Sequence, residues 1–320
     1  MKILITGGAG FIGSQLCKII TDQHQVLAVD NFDDFYPRQV KLNNLLWSKG
    51  DSNFQLFEVD IRDNYQMEQV FNTNSIDLVI HLAAKAGVRP SMQNPSEYID
   101  VNINGTINLL NYMNKYGVKK LIFASSSSVY GENTKVPFNE KDDLKSIIST
   151  YAITKKTGED LVRMYHTLYK FSVVILRFFT VYGPSQRPDL AIYKFVDSIV
   201  HDKEISIYGD GSTERDYTYI DDIVDGIIKA AEYLRASKTP VLDIFNLGNS
   251  SPEKLSKLIE TIENVLNKKA NKRVLPLPIG DVKSTYADIS KAKRVLKYQP
   301  ITKLEKGIET FVTWYMSQSL

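Results

Sequence analysis

Apolar positions along this chain fall into two alternating textures. Short, nearly unbroken apolar runs occur at Lys2 to Thr6, Val26 to Asp30, Phe54 to Val59, Leu78 to Leu82, Lys120 to Ser125 and Val173 to Phe178. Segments with apolar residues at helical spacing lie between most of them, the first from Phe11 to Ile20. Runs of that length read as buried strands, and strands alternating with helices imply right-handed crossovers and a mostly parallel, doubly wound α/β sheet. Beyond Thr180 the texture changes. Turn signals cluster at YGPSQRP, YGDGSTERD and PLPIGD, and helical patterns recur at Ile192 to Val200, Asp222 to Leu234, Ser251 to Leu266 and Leu304 to Met316. A smaller mixed α/β lobe is expected there, and the apolar run Asp243 to Leu247 is expected to return to the large sheet.

Composition narrows the class. The chain has 320 residues, 43% apolar and 24% charged, with no run of eighteen apolar residues, so it reads as globular, with no membrane span expected. The apolar start MKILI stops at Gly7-Gly8 without a cleavage pattern, which favours a cytoplasmic location over secretion. A net charge of +2 from interspersed residues gives no footprint for nucleic acid. Cys17 is the one cysteine and His24, His81, His166 and His201 show no ligand spacing, so neither a disulfide nor a metal centre is expected.

The first candidate chemistry is TGGAGFIG, which sets Gly7, Gly10 and Gly13 between a predicted strand and a predicted helix. Such glycines allow a tight turn, close approach of the backbone to a pyrophosphate, and helix-to-strand packing, while the helix start offers N–H groups to the anion. Asp30 ends the second strand, where a carboxylate accepts from the ribose hydroxyls and repels a 2′-phosphate; NAD is therefore expected over NADP. Asp60 and Ile61 after the third strand and HLAAKAG after the fourth fall at the same sheet edge. The large domain is thus of Rossmann type, with Phe11, Ile12, Ala83, Lys85 and Asn102 added as expected cofactor contacts.

The second is SSSSVYG, at the C-terminal end of the fifth predicted strand and so in the same crevice, followed by YAITK. Tyr151 and Lys155 are four apart on a predicted helix, with Ser149 or Thr150 as its N-cap, so the ammonium shares a face with the phenol. A free phenol titrates near 10, and bringing it to about 7 takes roughly 4 kcal/mol of preference for the phenolate. Lys155 together with a positively charged nicotinamide is expected to supply it, making Tyr151 a general base. A serine-hydrolase reading of SSSS lacks the glycine-flanked nucleophile turn.

With these motifs, and with HLAAKAGVRPS, LRFFTVYGP, ERDYTYIDD and GDVKSTYAD, the chain resembles the extended short-chain dehydrogenase/reductases that act on nucleotide sugars, nearly end to end. The resemblance implies an NAD-binding domain over 1–179, rejoined by 216–249, and a nucleotide-sugar-binding lobe over 180–320. It implies that Ser126 assists Tyr151, that Ser127 and Ser128 line the sugar pocket, that Arg215 binds the diphosphate, that Thr180 and Asp281 lie near the nucleotide, and that Tyr208 flanks the uracil. Relatives commonly pair through helices near 151–170 and 95–116, so a homodimer is expected.

The family divides at the serine run. Sugar 4,6-dehydratases resemble STDEVYG and nucleotide-uronate decarboxylases STSEVYG, whereas this chain has Ser127 and Ser128 in place of the acidic pair. Reversible oxidation and reduction at C4 is the simpler chemistry left. The segments YGPSQRPDLAIYKF and AAKAGVRPS are similar to those of UDP-glucuronate 4-epimerases, with Ser185-Gln186 in place of a Trp-Gly pair. That implies conversion of UDP-glucuronate to UDP-galacturonate through a 4-keto sugar with transient reduction of bound NAD. Arg187 is the candidate carboxylate partner and Arg89 a second anion contact. The alternatives are a 4-epimerase for UDP-glucose or UDP-N-acetylglucosamine, a UDP-glucuronate decarboxylase, and a non-catalytic NAD-binding scaffold or sensor.

Overall fold

In the computed structural model, which describes residues 1–276 and 283–318, the seven apolar runs lie side by side. They are β1 (Lys2–Thr6), β2 (Gln25–Asp30), β3 (Phe54–Glu58), β4 (Leu78–His81), β5 (Lys120–Ser126), β6 (Ser172–Phe178) and β7 (Leu242–Leu247), in the order β7-β6-β5-β4-β1-β2-β3. Every pairing is parallel. Side chains alternate across the sheet: Leu4, Leu27, Val79, Leu121 and Val173 join one buried cluster, and their neighbours Ile3, Val26, Ile80, Ile122 and Val174 join the other. Both faces are therefore apolar, which is why these strands read as continuous runs rather than as alternating ones.

Helices cover both faces. α1 (Phe11–Ile20) buries Phe11, Leu16, Cys17 and Ile20 against one cluster. On the other side, α2 (Gly105–Lys115) buries Leu109, Leu110 and Met113, and α3 (Thr150–Tyr169) buries Val162 and Tyr165. Between the two candidate caps the fold selects Ser149, whose hydroxyl accepts from Ala152 N at 3.2 Å. Strand order reverses at β1, flanked by β2 and β4, so the C-terminal edge opens a crevice there.

The second lobe contains a parallel pair, 204–208 with 271–275, and a three-stranded ribbon of 253–254, 214–215 and 284–285. Around them lie helices at Ala191–Val200, Leu255–Leu266 and Leu304–Gln318. The helix expected from Ser251 starts instead at Leu255, because Glu253 and Lys254 pair antiparallel with Arg215 and Glu214. Pro252 and the left-handed Ser250 (φ 59°) belong to that turn. The stretch from β5 to α3 reaches over to this lobe, where Phe138 N donates to Tyr286 O and Asp288 N to Phe138 O, both at 2.9 Å. No helix among the described residues is long and apolar enough to cross a membrane.

Candidate active site

A cleft of about 530 Å³ runs along the C-terminal edge of the sheet. At its floor Gly7 turns with φ +74°, and a Cβ there would stand 2.8 Å from Ala83 N; on Gly13 a Cβ would come within 2.0 Å of Gly7 O. Only glycine permits this approach of β1, the turn and α1. The N-terminus of α1 carries no side-chain cap, so its N–H groups face the cleft uncommitted to the chain's own side chains. The lining fits an extended dinucleotide with its phosphates at this turn.

Gly7, Gly10, Phe11, Ile12, Gly13, Asp30, Asp60, Ile61, Ala83 and Lys85 all line the cleft. Several are engaged in ways the sequence did not suggest. The Asp30 carboxylate accepts from Ala9 N at 3.1 Å and Phe32 N at 2.8 Å, and from the buried Lys41 ammonium at 3.1 Å. It thus ties the glycine turn to the segment after β2. Burial works against the charge on Asp60, but hydrogen bonds from Arg62 and Asn31 outweigh it and hold the carboxyl at about 2. Lys85 bridges Asp33 and Glu97 at 2.9 and 2.7 Å.

Asn102, expected at the cofactor, is not part of the cleft wall. Its carbonyl accepts from Lys85 N at 2.8 Å, and its amide donates to Lys85 O and to Thr154 Oγ1 at 3.0 and 2.9 Å. Its side-chain amide fixes the segment after β4 against α3. His81 is similarly occupied: its ring nitrogens sit 2.7 Å from Thr6 Oγ1 and 3.0 Å from Thr106 Oγ1, and burial pulls its pKa down to about 3. It is a neutral structural imidazole.

Ser126, Ser127, Ser128, Tyr151 and Lys155 share the cleft. The Ser126 hydroxyl favours the Tyr151 phenolate, and its Oγ lies 3.1 Å from Ser128 Oγ. The Lys155 ammonium is 5.9 Å from the centre of the Tyr151 ring and donates to Ala124 O at 2.8 Å. Burial raises the Tyr151 pKa above 10, and the groups that draw it back are Ser126 and the Arg187 guanidinium. Lys155 is itself so desolvated that its pKa falls from 10.5 to about 8, which makes it a weaker cation than the sequence implied.

Beneath the serines lies a buried polar network that no motif announced. Arg177 donates to both oxygens of Glu159 at 2.9 and 2.8 Å and to the Tyr130 hydroxyl at 3.0 Å. Ser125 Oγ donates to the same carboxylate at 2.6 Å, and Tyr130 OH to Asn246 Oδ1 at 2.7 Å. An arginine inside the apolar run VVILRF was the signal that could have found it, since a buried guanidinium must have a partner.

The residues expected at the sugar nucleotide divide into two groups. Thr180 and Arg187 line the cleft with the serines. Arg89 and Tyr208 meet each other outside it, the guanidinium 4.7 Å from the ring centre. Arg215 lies in the ribbon of the second lobe, with Nη1 donating to Glu214 O at 2.8 Å. Asp281 lies outside the described residues.

Residues 3–248 match the NAD dependent epimerase/dehydratase family. The chain is 43% identical over 314 residues to a UDP-glucuronate 4-epimerase of Thermodesulfobacterium geofontis, covering 97% of this chain and 95% of that one. It is 42% identical to UDP-glucuronate 4-epimerase 4 of Arabidopsis thaliana, covering 99% of this chain and 76% of the relative. Among solved structures it is similar to the UDP-glucuronic acid 4-epimerase of Bacillus cereus in complex with UDP-glucuronic acid and NAD. The TM-score is 0.93 at 36% identity, covering 99% of this chain and 100% of the other.

Proposed function

This chain belongs to the NAD dependent epimerase/dehydratase family, and on that premise we propose that it is an isomerase that interconverts UDP-glucuronate and UDP-galacturonate at C4. The carrying observation is that Tyr151, Lys155 and Ser126 share one cleft with the glycine turn, with the serine hydroxyl favouring the phenolate. Identity above 40% to epimerases of this sugar, along nearly the whole chain, supports the choice of substrate.

Gly7, Gly10, Gly13 and Asp30 in the cleft would hold NAD, which would supply a reversible hydride acceptor for C4, so that no net redox results. Tyr151 accepts the proton of the 4-hydroxyl as the 4-keto sugar forms and returns it to the O4 oxygen when the turned sugar is reduced on its opposite face. Ser126 holds the phenol in line, and Lys155, fixed by Ala124 O, adds positive potential beside it. Ser127, Ser128 and Thr180 offer hydroxyls to the turning sugar, and Arg187 offers its guanidinium to the carboxylate. Arg215, Arg89 and Tyr208 remain candidates for the nucleotide end. No carboxylate stands at Ser127 or Ser128 to drive elimination.

The test is incubation with UDP-glucuronate and chromatographic resolution of the products. UDP-galacturonate is expected, with Tyr151→Phe slower by about 10³-fold or more, at the scale of a lost general base. A UDP-pentose as main product, or equal turnover by the variant, would overturn the reading.

We also propose a homodimer packed through α3 and the segment preceding α2. Ile153, Met164, Leu168 and Tyr169 on α3, with Met92 and Ile99, are 41–60% exposed, an apolar surface that a second copy would cover. Leu168→Glu with Met164→Glu is expected to yield monomers by sedimentation velocity, and a monomeric wild type would refute the proposal.

A further inference from the structure

Arg187 is expected from the sequence as a cation awaiting a sugar carboxylate, and the fold has already given it one. Nε and Nη2 donate to the two oxygens of Asp189 at 2.9 and 2.8 Å, which leaves Nη1 outside that fork. The two side chains are only 17% and 31% exposed. Arg187 lines the cleft, whereas Asp189 is not among the residues that line it. Phe35, another wall residue, lies 5.2 Å from the guanidinium. Nothing in RPD spacing alone fixes this pairing; it depends on the turn that precedes the helix Ala191–Val200.

An arginine without a counter-charge in such a wall would disfavour any sugar that brings no anion, because it would stay desolvated and unpaired. With Asp189 in place the charge is compensated before a sugar arrives. A neutral hexose then leaves nothing unpaired, and a uronate gains either Nη1 alone or the whole fork after displacing Asp189. We propose that Asp189 is a positioning residue that limits the preference for a hexuronate over a neutral hexose by holding Arg187 neutralised through its Nε and Nη2. The inference rests on the proposed function.

The experiment compares binding of UDP-glucuronate, UDP-glucose and UDP to the NAD-loaded wild type and to Asp189→Asn by calorimetry, together with turnover of both sugars. Removing the competing carboxylate is expected to raise the glucuronate-to-glucose affinity ratio about tenfold, the scale of one charge-assisted hydrogen bond. UDP should bind with unchanged affinity, since it carries no hexose. Asp189→Ser serves as the second variant should the amide misfold, and it predicts the same direction. A ratio that rises less than threefold, or falls, overturns the inference. Wild-type protein without turnover of UDP-glucuronate overturns the proposed function itself, and the two failures are thereby told apart.

Discussion

Arg177 on β6 and Lys155 on α3 are both buried cations beside the end of β5, and the fold treats them oppositely. Arg177 is enclosed by a bidentate carboxylate and a phenol, so its guanidinium holds its charge more firmly than in water. Lys155 has one backbone carbonyl and an amine drawn down to about 8 by desolvation. Glu159, the partner of Arg177, sits four residues beyond Lys155 and so on the same face of α3. That spacing would let the carboxylate reach its own lysine, but both of its oxygens are taken by Arg177 and one of them also by Ser125. Where charge is compensated, the group locks strands and lobes together. Where it is not, the field is left for what enters the cleft, in keeping with sites that trade stability for function.

The largest predicted effect breaks the compensated side. Glu159→Ala strands Arg177 at 2% exposure and removes the acceptor of Ser125. The expected loss is about 3–5 kcal/mol, the range for breaking one partner out of a buried pair, read from urea unfolding midpoints. The double variant Arg177→Met with Glu159→Leu should recover most of that loss, since an apolar pair of similar size carries no unpaired charge. If the double variant is as unstable as the single one, the network contributes through more than charge compensation.

The contrast also marks what was legible. Six of the seven sheet strands were readable to within a residue or two from apolar runs alone, and the seventh from one more run across a lobe boundary, because burial on both faces leaves a strong pattern. Gly7, Gly13, Tyr151 and Lys155 were readable because their spacing is local. The partners were not: Asp30 with Lys41, Arg177 with Glu159, and Arg187 with Asp189 depend on which segments the topology brings together or on how a turn closes. The partners of Asn102 were hidden for the same reason. It follows the strand ends that do face the cleft, but a π-helical turn at Asp100–Asn104 points its amide to Lys85 and Thr154.

The smaller effect tests the uncompensated side and has the opposite sign. In the folded chain the Lys155 amine titrates near 8, against 10.5 ordinarily. Below about 8 both folded and unfolded chains hold the proton, and the full cost of burying it is present. Between about 8 and 10.5 the unfolded chain binds more protons than the folded one, so stability rises with pH across that window as the cost is relieved. A depression of that size corresponds to at most about 3 kcal/mol, and the hydrogen bond to Ala124 O returns about 1 kcal/mol of it. Lys155→Met is therefore expected to be about 2 kcal/mol more stable than the wild type at pH 7 while losing turnover, with the advantage gone above pH 10.5. A variant less stable at pH 7, or one whose advantage does not shrink with rising pH, would mean that Lys155 is compensated after all and that the two cations are alike.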